Sequence, residues 1–261
     1  MRRLAVVLLG VFSIAGTGAQ AADPIQLRPV IRVVKPGFPA PLSQLRPTGA
    51  IRLTQVSLAR RAPVVVSQTE PKPSWADLVA ALVDAPFVRG SSQPGTTIAI
   101  YGTRFVVGVG PHERIKYVID LRSFGFPPKS LVPKAYGPQE VSWARQIGRT
   151  LVVQTNHLGY AADSGGRNGY LTGIDLDTGK VRWRSPALVA NAQNFVVVRG
   201  LIVSGYGFTA EKDWLYLVDP ATGRVRDRLA LPSMAERIAV QGDRIVVRCY
   251  DARVLARLVP A

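Results

Sequence analysis

A strand, glycine, strand pattern recurs four times after residue 95, and it constrains the fold of this chain more than any other feature. It runs from Ile98 to Val107 around Gly102, from Gln146 to Val153 around Gly148, from Val197 to Val203 around Gly200, and from Ala239 to Val247 around Gly242. The turn glycines stand 46, 52 and 42 residues apart, close to the ~40–50 residues that one four-stranded propeller blade occupies. β-Branched residues fill the flanks, as half-buried pleated strands require. A chain of 261 residues, 47% of them hydrophobic, is long and apolar enough to bury such a core. The expected fold is therefore all-β: a small or incomplete propeller of about four to five blades, with a proline-rich N-terminal extension and one short helix.

A second landmark rides in phase with the first. Asp175, Thr178, Gly179, Lys180, Val181 and Arg182 are matched by Asp219, Thr222, Gly223, Arg224, Val225 and Arg226, 44 residues later. The shared pattern is that of a tight hairpin. The Asp carboxylate accepts backbone N–H groups across the turn, Thr does so more weakly, and Gly supplies the positive φ that lets the outer strand return. These aspartates are expected to be structural.

Gly173 to Trp183 resembles in full the signature of the pyrroloquinoline-quinone-like repeat family, Ala/Gly-x-Asp-x-x-Thr-Gly-x-x-x-Trp. The next copy keeps Asp219, Thr222 and Gly223 but has Asp227 where the tryptophan belongs; the first keeps only Asp120, and the stretch from Tyr250 to Leu258 has lost the turn motif. The resemblance covers residues 96–261 and implies repeat blades. The family includes quinone-dependent dehydrogenases, the lipoprotein scaffold of the outer-membrane β-barrel assembly machine, and other interaction propellers, so it implies a fold and no particular activity. A quinoprotein dehydrogenase of that family would imply seven or eight blades, a calcium carboxylate cluster and a catalytic aspartate. This chain has room for about half of that.

Upstream, Met1-Arg2-Arg3, the apolar run Leu4 to Ala15, and Ala19-Gln20-Ala21 have the order of a cleavable secretory signal over residues 1–21. The rival, a retained anchor, is shorter than the ~20 residues a span needs. A periplasmic or extracellular location is expected, without lipidation at the cleavage point, since the one cysteine is Cys249. Residues 22–73 carry nine prolines, which break helices and suit extended chain. Within them, Ile51 to Leu58 and Val64 to Val66 are strand candidates, and a strand from residues 51–66 is expected to complete the last blade; oligomer closure would serve equally well. Residues 74–95 read as a short helix and linker, with Trp75, Leu78, Val79, Leu82 and Val83 on one face and Pro86 at its end. The propeller is expected over 96–261.

A single cysteine forbids an intramolecular disulfide, so stability must come from packing, and Cys249 reads as a small buried strand residue. Two histidines leave no zinc site and little scope for a triad: His112 falls in a turn and His157 before an insertion from Asp163 to Gly169, which reads as a long hairpin tip. No catalytic, cofactor-binding or metal residue is assigned, and no cofactor is expected. The formal charge is +16, and clustered positive charge attracts any polyanion within a Debye length. Strand alternation puts Lys180, Arg182 and Arg184 on one face, and Arg224, Arg226 and Arg228 on its counterpart one blade later. These six are the candidate partner-binding residues. The expected function is a non-catalytic scaffold that binds a protein or an anionic envelope polymer, with peripheral membrane contact compatible and no specific nucleic acid. The alternative is a degenerate quinoprotein-like small-ligand binder.

Overall fold

The computed structural model describes residues 25–31, 75–111, 115–121, 139–157, 159–242 and 244–260. They form four antiparallel four-stranded sheets in a propeller arrangement, with one α-helix, α1 (Trp75–Val83). Blade one is β2 (Phe87–Gln93), β3 (Thr96–Tyr101), β4 (Phe105–Val109) and β5 (Ile115–Asp120). Blade two is β6 (Glu140–Ile147), β7 (Thr150–Asn156), β8 (Tyr170–Asp175) and β9 (Val181–Arg184). Blade three is β10 (Val196–Val198), β11 (Leu201–Tyr206), β12 (Trp214–Val218) and β13 (Val225–Ala230). Blade four is β14 (Ala235–Gln241), β15 (Arg244–Cys249) and β16 (Arg253–Pro260), and its fourth strand is β1 (Ile25–Ile31), from the other end of the chain.

An N-terminal strand does complete the last blade, but it is Ile25–Ile31 rather than a strand from 51–66, which lies outside the described residues. β1 pairs with β16 from Ile25↔Pro260 to Ile31↔Leu255. Pro29 is tolerated because β1 is an edge strand with a register shift beside that proline. Without β1, the edge of β16 would present unpaired backbone groups.

The phase of blade one also differs from expectation. Gly102 lies between the second and third strands of its blade, whereas Gly148, Gly200 and Gly242 lie between first and second. The equivalent position in blade one is Gly95, which shares their left-handed backbone at φ +70°. Phe87–Gln93, expected to be linker, is therefore the first strand of that blade, and blade one begins at residue 87 rather than 96. Likewise Asp120 ends the outermost strand β5, where it pairs with Arg104 at 3.7 Å, and is not a hairpin aspartate like Asp175.

β4 and β7 are buried on both faces, every residue of each being buried, which explains their continuous Val-rich runs. Ile98, Ile100, Val106 and Ile119 of blade one pack with Val141, Leu151 and Val153 of blade two. Val152, Leu171 and Trp183 of blade two meet Ile202 and Val218 of blade three. Val203, Leu215 and Leu217 of blade three meet Ile245, Val247 and Val254 of blade four. The remaining face of blade one is covered by α1, whose Leu78 and Leu82 pack on Ala99, Tyr101, Phe105 and Val107. The amphipathic stripe thus packs on a sheet, as its 3.6-residue period requires.

Candidate functional site

Both hairpin turns have the architecture expected of them. Asp175 Oδ1 accepts the N–H groups of Asp177 at 2.8 Å and Thr178 at 2.9 Å, and the Gly179 N–H donates to the Asp175 carbonyl at 2.8 Å. In blade three, Asp219 Oδ1 accepts from the Ala221 N–H at 2.8 Å, and the Gly223 N–H donates to the Asp219 carbonyl at 2.8 Å. The second carboxylate oxygen holds an arginine in each case. Arg182 Nε donates to Asp175 Oδ2 at 2.8 Å, and Arg226 Nε to Asp219 Oδ2 at 3.2 Å.

The six candidate cations all lie exposed on β9, β13 and the turns that precede them. Each set of three has the same internal structure. The middle arginine is tied to the turn aspartate, yet Arg182 and Arg226 keep 46% and 57% of their side chains exposed. The last arginine lies over an aromatic ring: Arg184 over Tyr170 at 3.9 Å and Arg228 over Trp214 at 4.3 Å. Such stacking holds a guanidinium in place. Lys180 and Arg224 stand at the turns. The N–H of Thr178 and the guanidinium of Arg182 hold the Asp175 carboxyl far below the usual carboxylate range. Burial pushes Asp219 up, but Arg226 and the Ala221 N–H outweigh it and leave that carboxyl below its ordinary value.

Trp183 joins these turns to the core. Its ring lies over Gly173, directly opposite on β8, and over Gly223 in the next blade's turn, so a Cβ at either glycine would overlap it. Its Nε1 donates to the Pro220 carbonyl at 2.9 Å. Blade one repeats the device with different residues, since Tyr117 lies over Gly108, its directly opposite partner.

A residue that the sequence did not single out holds the blades together. Half-buried Arg89, on β2, donates from Nη1 to the carbonyls of Ser142 at 2.9 Å and Gln193 at 2.8 Å, linking blade one to blade two and to the segment that enters blade three. Burial pulls the Arg89 pKa down. The segment continues outward, because Asn194 exchanges two hydrogen bonds with the Ile238 backbone of blade four, at 2.8 and 2.9 Å.

Of the remaining candidates, Cys249 and His157 are held by contacts within the fold. Cys249 is 1% exposed within the core between blades three and four. The His157 N–H donates to Asn168 Oδ1 at 2.9 Å, and Asn168 Nδ2 donates back to the His157 carbonyl at 3.1 Å, which locks the base of the insertion. Glu211 fixes the tip, accepting from the Tyr206 hydroxyl at 2.9 Å and from the Ala161 N–H. His112 lies outside the described residues. Among the described residues, no group of three or more His, Cys, Asp or Glu side chains could hold a metal, and no helix is long and apolar enough to cross a membrane.

No protein-family model and no curated protein matches the chain. Similar solved structures include BamB from Moraxella catarrhalis, at 10% identity and TM-score 0.43, over 64% of this chain and 41% of that one. They also include the computationally designed Ika4 protein, at 11% identity and TM-score 0.43, over 75% and 97%. Myxococcus xanthus glutaminyl cyclase follows at 14% identity and TM-score 0.37, over 66% and 72%. The match to BamB thus spans about two fifths of that protein's length. The four-sheet topology, not these likenesses, carries the fold.

Proposed function

We propose that this chain is an exported, non-catalytic scaffold that holds a protein or an anionic envelope component on its blade edges. The observation that carries the reading is the duplicated arginine edge. In two successive blades, one cation stands at the turn, one is clamped by the turn carboxylate, and one is stacked on an aromatic ring. Side chains held in this way lose little rotamer freedom on meeting an anion, so less of the contact energy is spent on ordering them. Complementary charge of this kind also speeds encounter and selects partners.

The test is retention of components of an envelope extract on immobilised protein, alongside absorbance and mass spectra of the purified chain. Salt-sensitive recovery of a macromolecule, reduced by a combined Lys180→Ala and Arg224→Ala variant of unchanged Tm, is the expected result. Recovery of a bound quinone would overturn the scaffold in favour of a small-ligand protein.

A further inference from the structure

The pairing register of β14, β15 and β16 in blade four collects five arginines in two rows. Arg237 stands opposite Arg248, and Arg248 opposite Arg253; farther along the same strands, Arg244 stands opposite Arg257, with Gln241 on its other side. Between the rows runs an apolar one, Ala239, Val246 and Leu255, again directly opposite one another. The five arginines are exposed. Val246, only 8% exposed, and half-buried Leu255 stand outside the core shared with blade three, which uses the alternate positions Ile245, Val247, Val254, Ala256 and Leu258. Among the described residues, the one ion pair these arginines make is Arg248 with Glu236, at 3.1 Å. Like charges directly opposite across strands destabilise a sheet, and an anionic partner would relieve that repulsion.

We infer that this face docks an acidic amphipathic helix of a partner protein, an inference that rests on the scaffold reading and gives it a surface and a partner chemistry. Neighbouring strands are ~4.8 Å apart and successive helical turns ~5.4 Å, so carboxylates one turn apart meet successive arginines of a row. The two rows lie four residues apart along the strands, about 13 Å at ~3.3 Å per residue. That is close to the ~10–12 Å width of a helix with its side chains. A helix laid across the strands therefore puts its apolar ridge on Val246 and Leu255 and a line of carboxylates over each arginine row, a form of helix recognition by apolar anchors at i, i+3 or i+4 and i+7. A linear polyanion would meet the arginines but leave the apolar row without a counterpart.

The probe is a synthetic helical peptide with a leucine ridge flanked on both sides by glutamates, titrated by fluorescence anisotropy into the full chain. Controls are the same peptide with lysines for glutamates, and polyglutamate. Binding of the acidic peptide alone is expected, weakened at least tenfold by combined Arg237→Glu and Arg253→Glu, and severalfold by Val246→Ser. The charge reversal places Glu beside Arg248 on both sides, so Tm is expected to hold or rise, whereas a face needed for folding would lose Tm. Polyglutamate binding as tightly as the peptide, or a peptide affinity indifferent to the reversal, overturns the inference. The scaffold reading fails separately: an envelope component retained equally by wild type and the reversed variant leaves the scaffold standing and removes this face from it.

Discussion

Trp183 shows how one side chain can join two blades. Its ring fills the space left by Gly173 and Gly223 while its N–H satisfies a carbonyl of the next blade. Trp183→Ala is expected to cost about 3–5 kcal/mol, the range for deleting a large buried aromatic, and Gly173→Ala about 1–3 kcal/mol through overpacking; urea unfolding of each variant checks both. Cys249 makes the opposite prediction, that of inertness. Burial, reinforced by Asp213, Asp251 and Glu236, pushes its thiol up to about 12, so almost no thiolate forms at neutral pH. It is expected to resist a thiol reagent at pH 8 in the folded protein and to react fully in denaturant. At this scale, sequence was a good guide where chemistry is local: the turn aspartates and the buried cysteine follow from neighbouring residues alone. Arg89 was not legible, because its partners are backbone carbonyls 53 and 104 residues away.

The hairpin is the element with a pH signature. The folded Asp175 and Asp219 carboxyls sit below their ordinary value of 3.8. Their contribution is therefore fully present above that pH and lost as pH falls below it toward the folded values. The stability gap between wild type and Asp175→Asn, read from urea midpoints at pH 6 and pH 3, is expected to narrow at the lower pH. A gap of constant size would contradict that assignment. Elements were legible wherever the strand pattern is strong, as in Thr150–Asn156 or Leu201–Tyr206. β2 escaped notice because Phe-Val-Arg-Gly-Ser-Ser-Gln is polar and follows the proline that ends α1. Its alternate residues are only half-buried, and side-chain bonds such as those of Arg89 to blades two and three help to hold it. That omission moved Gly102 into the wrong turn, since a glycine between two strands does not say which pair of a blade it joins. The arginine rows of blade four were hidden for a related reason: they exist only through cross-strand register.

At the scale of the molecule, α1 covers one face of blade one, successive blades share three apolar interfaces, and blade four ends in an arginine-lined face. Arg89 ties three of these units near their innermost strands. Arg89→Met removes two charge-assisted hydrogen bonds, each worth roughly 1.5–3 kcal/mol, and is expected to lower Tm by several degrees with no change of secondary structure by circular dichroism. The pairing of β1 with β16 joins the two ends of the chain and could not be read from local pattern, because more than 200 residues separate the partners and the strand carries a proline. The central claim is that successive four-stranded blades end in one completed by this N-terminal strand. Its most direct measurement is disulfide formation between cysteines placed at Gln26 and Val259, which stand opposite each other, in a Cys249→Ser background. Near-complete intramolecular cross-linking of the monomer is the predicted result; cross-linking only between chains, or none while the protein stays folded, would contradict it.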